Sequence, residues 1–265
     1  MVISAWQPFF ETSAGKVTDP SLIETVKPRK IRSSSTRTKR KRMSPSERRK
    51  RIIQGTLKVV AQKGFWGMSL QDVADEAGIT EAGLYHYINT KDDLLEMLLT
   101  EAYDTPEADR FNAQSASATD SCGHTSFYYP RYCLNIVMYN TKRAQMVQLF
   151  STLMGEALNP QHPAHTYFIN RHQKYWKLIK TMTWALPEGY TERKFYDLYT
   201  LAMSAMDGLQ YRWLADSSIS LLDEWARFSD LIFPESEWKG CLDPSEFSPD
   251  QGCLDSTSLH FASEE

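Results

Sequence analysis

The chain of 265 residues is 42% hydrophobic, with 13 Tyr, 12 Phe and 7 Trp, so it is long and apolar enough to bury one large core or two modest ones. Its net charge of −3 conceals an asymmetry: residues 1–51 hold 14 Lys and Arg against four acids, a net of +10, and the rest of the chain is at −13. A basic segment of that kind is drawn to polyanions by counterion release, whereas the acidic bulk is repelled by them. No run of about 18 apolar residues is present to span a membrane. The opening MVISAWQPFF lacks the charge, apolar run and cleavage site of a secretory leader.

In chain order, residues 1–43 mix Ser, Thr, Pro and Lys or Arg without periodicity, which predicts a disordered basic arm. Ser44-Pro45-Ser46-Glu47 has the order of a capping box with Pro at the first helical position. Ile53, Leu57, Val60 and Ala61 follow at helical spacing, with Arg48, Arg49 and Lys50 outside, and Gly64 ends the helix. Ser69 with Asp72 opens a second helix that buries Leu70, Val73, Ala74 and Ala77, and Gly78 stops it. Thr80 caps a third, short helix running to Ile88, and Thr90 with Asp93 caps a fourth, carrying Leu94, Leu95, Leu98 and Leu99. Two short helices joined by a tight glycine-containing turn make a helix-turn-helix over 69–88.

After an Ala- and Ser-rich stretch at 113–123, helices are predicted at 126–139, 141–157, 163–185, 191–215 and 218–233. No strand pattern stands out, so the expected class is all-α. From Pro234 to Glu265 eight acids face one lysine without periodicity, which predicts an acidic disordered tail. Cys122, Cys133, Cys241 and Cys253 have no metal-type spacing and read as reduced thiols of a soluble, cytoplasmic protein. His162 and His165 could begin a metal pair, but no third ligand is apparent, and no metal or cofactor is expected. There is no phosphate-binding glycine loop and no nucleophile elbow, so an enzyme is not expected.

A helix that reads base edges must be short, rigidly anchored and exposed on one face. In 80–88, Leu84 and Ile88 supply the anchor, which leaves Glu81, Ala82, Tyr85 and His86 to face DNA. Gly83 admits two readings: close approach of the backbone to the groove, or simple tolerance in a short helix. The segment GFWGMSLQDVADEAGITEAGLYHYINTKDDLLEML, residues 64–98, resembles the DNA-binding signature of the tetracycline-repressor (TetR) family, with Ile88 where that family usually has Phe. The resemblance covers about 55 residues, Glu47 to Asp104, and implies a three-helix DNA-binding domain over 44–107 and a helical effector and dimerisation domain over 124–233. It further implies that Ser69, Thr80, Tyr85, Tyr87 and Lys91 contact phosphates, while Glu81, Ala82, Gly83 and His86 approach bases.

Residues 206–225, MDGLQYRWLADSSISLLDEW, resemble the paired last helices through which that family dimerises, with Ala205 and Gly208 allowing close helix approach. The expected partners are a double-stranded DNA operator, a second copy through 191–215 and 218–233, and a small apolar or aromatic effector, with no membrane. Phe127, Tyr132, Phe150, Met154, Tyr175 and Trp176 are candidate effector contacts, although aromatic residues at helical spacing more often only fill a core. The implied function is a transcriptional regulator, by family default a repressor that releases a palindromic operator when the effector binds. The alternative is a helical ligand sensor or interaction protein that no longer reads DNA. The arm either adds sequence-independent phosphate or minor-groove contacts or is a solvated tail.

Overall fold

The computed structural model describes residues 43–103 and 113–246. Both predicted tails fall largely outside the described residues: the whole arm except Met43, and residues 247–265. The capping box is formed: Ser44 Oγ accepts from Glu47 N, and Ser44 N donates to Glu47 Oε2 at 2.8 Å. It starts α1, Pro45–Gly67. Gly64 does not end this helix but breaks it, at φ 73 and ψ 172, and one further turn follows before Met68. Arg48 and Arg49 are half-buried rather than wholly in water, and Arg49 pairs with Glu101. The helix α2, Leu70–Ala77, is capped reciprocally by Ser69 and Asp72 and ends on Gly78 in the left-handed region.

The third helix is shorter than predicted: α3 is only Glu81–Leu84. Tyr87 N bonds back to Leu84 O, and Asn89 N donates to Asp93 Oδ2 at 2.6 Å, so residues 85–90 belong to a turn and to the cap of the next helix. That helix, α4, spans Lys91–Leu98 and continues as a wider π-helical turn over Leu99–Tyr103.

The body is mainly helical, with one small sheet that the sequence pattern does not signal. Strand β1, Ser117–Thr119, pairs antiparallel with β2, Thr125–Tyr128, and β2 pairs parallel with β3, Trp184–Ala185. Two predicted helices therefore shrink: 126–139 becomes β2 and then α5, Tyr129–Thr141, and 163–185 becomes α7, His165–Lys180, and then β3. Strands of two to four residues offer too little alternation to betray themselves. Between β1 and β2, the buried Asp120 carboxylate accepts from Cys122 N and His124 N, closing the turn.

The remaining body helices are α6, Ala144–Glu156, α8, Glu192–Ala215, and α9, Leu221–Ile232, the last begun by a Ser220 cap. The predicted acidic tail is also corrected at its start. Residues 234–246 are folded, with a turn of helix, α10, at Glu235–Trp238, and Trp238 and Leu242 are buried. Two isolated apolar residues make no period, but they fill the body's core. Cys122 is disulfide-bonded, contrary to the reduced reading, while Cys133 and Cys241 are free thiols. Cysteine spacing along the chain does not record which thiols are joined.

Two cores result. The body core gathers Tyr129, Trp184, Phe195, Trp225 and Trp238. The other gathers Ile52, Val60, Phe65, Val73, Leu84, Leu94 and Leu98 with Leu149 and Leu153 of α6, as well as Ala157 and Ala164. Helix α6 thus belongs to both halves of the molecule, and α1 and α6 pack along each other.

Candidate nucleic-acid interface and effector cavity

Helix α3 is held by Leu84 and Ile88, both buried, and by Thr80, whose Oγ1 accepts from Gly83 N at 3.1 Å. This anchoring leaves Thr80, Ala82, Tyr85 and His86 exposed and Glu81, Gly83 and Tyr87 half-buried, on one contiguous segment. A Cβ on Gly83 would lie 3.2 Å from Thr80 Oγ1, so glycine here also keeps the cap unstrained, a third reason for its presence. Tyr85, half exposed, reaches Glu81 Oε1 with its hydroxyl, and the Tyr87 hydroxyl points back to Pro45 O at 3.4 Å. Tyr87 therefore ties α3 to the start of α1 as well as edging the surface.

Ser69 is exposed at the N-terminus of α2. Lys91, at the start of α4, donates to Trp66 O at 3.4 Å and lies 4.7 Å from the centre of the Phe65 ring, and burial lowers its pKa. Nearby cations are matched: Lys63 with Asp72 at 2.7 Å and Lys58 with Glu76 at 2.7 Å. The Lys63 ammonium, then the Ser69 cap, hold the Asp72 carboxyl down at about 2. Of the sequence-predicted contacts, Thr80, Glu81, Ala82, Gly83, Tyr85, His86 and Tyr87 lie on α3 and its flanking turns, Ser69 at the N-terminus of α2 and Lys91 at that of α4.

Of the six candidate effector residues, Tyr132, Phe150, Met154 and Tyr175 line one cavity of about 200 Å3 between α5, α6, α7 and α8. Phe127 and Trp176 do not: Phe127 sits on β2 against Trp184, and Trp176 packs on Phe195, Tyr196 and Tyr199. Strand pairing turns Phe127 away, and helix phase turns Trp176 toward α8. The wall also carries charge that the apolar pattern did not signal, namely Arg143, Arg171 and Asp207, with the Arg171 guanidinium within 5.3 Å of the ring centres of Tyr103, Phe150 and Tyr175. Crowding by protein raises the Asp207 carboxyl to about 6, against the opposing pull of Arg171.

The histidines 162 and 165 do not face a common point. His162 is buried, with Nδ1 accepting from Ala164 N, and the ring of His165 meets Ala157 O at 2.7 Å. His162 instead stands beside Glu156 and against the rings of Phe65 and Trp66.

The family model described as bacterial regulatory proteins of the tetR family matches residues 52–98, which run from α1 through α4. The HTH-type transcriptional regulator PksA of Bacillus subtilis is 38% identical over 55 residues, 21% of this chain and 27% of that protein. The HTH-type transcriptional repressor KstR2 of Mycolicibacterium smegmatis is 32% identical over 60 residues, 23% of this chain and 29% of that protein. The chain thus spans well under a third of the length of these curated relatives, and the likeness lies in the N-terminal half. A TetR-like transcriptional regulator from Rhodococcus sp. RHA1 is similar in structure, with a TM-score of 0.51 at 16% identity, over 72% of this chain and 97% of that one, which bears on the fold alone.

Proposed function

We propose that this chain, whose residues 52–98 match the model of the tetR-family regulatory proteins, is a dimeric transcriptional regulator that releases a palindromic operator when a small effector enters its body. The observation that carries the reading is the anchored α3 segment, with Leu84 and Ile88 buried while Thr80, Ala82, Tyr85 and His86 stand in water. One relative bears the name of a repressor, which favours repression. In this reading Ser69, Thr80, Tyr85, Tyr87 and Lys91 hold phosphates, and Glu81, Ala82, Gly83 and His86 meet base edges.

One helix-turn-helix reads only a half-site, so two copies are needed about one helical turn of DNA apart. Exposed Leu201, Tyr211 and Leu231 on α8 and α9 supply an apolar face for the second copy, and a Cβ on Gly208 would meet nothing within 4 Å, leaving room for a close partner helix. The cavity at Tyr132, Phe150, Met154 and Tyr175 takes the effector, a small aromatic or apolar molecule with a polar group for the Arg171 end. The working compartment is the cytoplasm, and the basic arm adds sequence-independent contacts to DNA.

The test is fluorescence anisotropy against duplex DNA from upstream of the chain's own coding sequence, over a salt series, for the wild type and Tyr85→Ala. The reading expects salt-dependent binding that the substitution weakens roughly tenfold or more, the value of one hydrogen bond to a charged phosphate. Binding at only the non-specific level for every duplex tried would favour the sensor that no longer reads DNA.

A further inference from the structure

Glu156 closes α6 at the junction of the two halves. Its Oε2 accepts from Phe65 N at 2.7 Å and its Oε1 from Trp66 N at 3.2 Å, across about 90 residues of sequence. These amides are free to donate because the chain leaves the helical path at Gly64, whose φ of 73 turns them outward. A Cβ on Gly64 would lie 2.3 Å from Glu156 Oε1, so the carboxylate occupies the space that any other residue would fill. One cation and one imidazole border the site: Lys91 Nζ reaches Trp66 O, and buried His162 has its Nε2 at 3.4 Å from Glu156 Oε2. With Nδ1 of His162 accepting from Ala164 N, the neutral ring carries its proton on Nε2, on the side where the carboxylate lies.

The same helix serves the cavity. Met146, Val147, Phe150 and Met154 line it, while Leu149 and Leu153, on the adjoining face of α6, pack with Met146 into the core of the reading head. Any shift of α6 that accommodates a ligand against Phe150 and Met154 carries the Glu156 carboxylate with it, because a helix moves as a body rather than bending freely. Phe65 and Trp66 are followed within a few residues by Ser69, and Lys91 bonds the same corner.

We propose that Glu156 is the positioning residue that couples the effector cavity to the DNA-reading head, by clamping the Phe65 and Trp66 amides at the Gly64 corner. The clamp deepens the regulator reading given above and rests on it. Its alternative is a static staple that adds stability and transmits nothing. Coupling between two sites is reciprocal, so DNA itself can serve as the probe and no effector need be known.

The experiment is amide hydrogen exchange on the full chain, with and without a saturating duplex from its own upstream region, for the wild type and Glu156→Gln. The amide of Gln has one acceptor and turns an NH2 toward the second backbone donor, so the clamp opens while shape and packing stay. In the wild type, DNA should slow exchange at 69–98 and also along the cavity wall, in α5 and the second half of α7. In Glu156→Gln the slowing at 69–98 should remain, and the slowing at the cavity wall should fall at least threefold.

An unchanged cavity-wall response in Glu156→Gln would overturn the proposal and leave a staple. A wild type that responds only at 69–98 would also overturn it, while keeping the DNA-binding reading. A wild type with no response anywhere would remove that reading and the clamp's role with it. Should Glu156→Gln fail to fold by circular dichroism, Glu156→Asp, which keeps the charge and withdraws it by one methylene, is read in the same way.

Discussion

Asp207 shows what a single side chain contributes beyond the helix it stands on. Its carboxyl titrates near 6 because surrounding protein disfavours the anion, with Arg171 offsetting only part of that cost. A raised acid pKa means that the native state holds the proton more tightly than the unfolded chain does. The penalty is therefore absent below the unfolded value near 4, grows as pH rises through about 6, and is full above it. Asp207→Asn should thus raise the urea midpoint at pH 8 and leave it nearly unchanged at about pH 3, below the unfolded value. The side chain still meets water on one side, so the gain is a fraction of what a fully enclosed carboxylate would give. An equal shift at both pH values would point to packing rather than charge. At this scale the sequence was legible where a residue acts on its near neighbours. Ser44, Ser69 and Thr90 cap as read, since each answers an acid three positions on. Glu156 and Asp207 were not legible, because their partners lie on other elements and no local pattern records them.

Among the elements, the crossing of α1 and α2 turns on a glycine that periodicity passed over. Gly55 is buried in mid-helix, and a Cβ there would lie 3.3 Å from Ala77 N and 3.4 Å from Val73 O, both backbone atoms. Alanine would recover about 1 kcal/mol of helix propensity, but pushing two backbones apart costs about 1–3 kcal/mol. The second effect should win, so Gly55→Ala is expected to lose about 1 kcal/mol in urea unfolding; a gain in stability would show that the helices separate freely. The stretch after Pro234 supports a larger prediction. Trp238 is fully buried against Tyr190 and Phe233, so Trp238→Ala should cost about 3–5 kcal/mol. A tail without packing would lose almost nothing, and denaturant midpoints separate the two. The long helices were readable from repeating apolar faces. The strands at 117–119, 125–128 and 184–185 and the anchor at Trp238 were not, because each is held by contacts with distant chain rather than by its own period.

For the whole molecule, the fold leaves the outer faces of α8 and α9 to be covered. Leu231 is 79% exposed and Tyr211 65%, on helices whose inner faces are fully committed to Phe195, Tyr199, Met206 and Trp225 in the body core. An exposed leucine alone needs no explanation, but these residues recur on two adjacent helices together with Leu201 and the open Gly208. A second copy packed there would set two α3 segments at a fixed separation, which is what reading both halves of a palindrome requires. Leu231→Glu separates this from a chance patch. In an isolated chain the substitution touches no packed atom, so its cost should stay within about 0.5 kcal/mol. At a two-fold interface it places two carboxylates in an apolar seam and should shift the protein from dimer to monomer in sedimentation velocity. DNA affinity should fall in parallel, because each head then binds its half-site alone and loses the advantage of the second contact. A Leu231→Glu variant that remains dimeric would place the interface elsewhere. One that becomes monomeric yet keeps full affinity would mean that a single head suffices, and the two-half-site reading would fail.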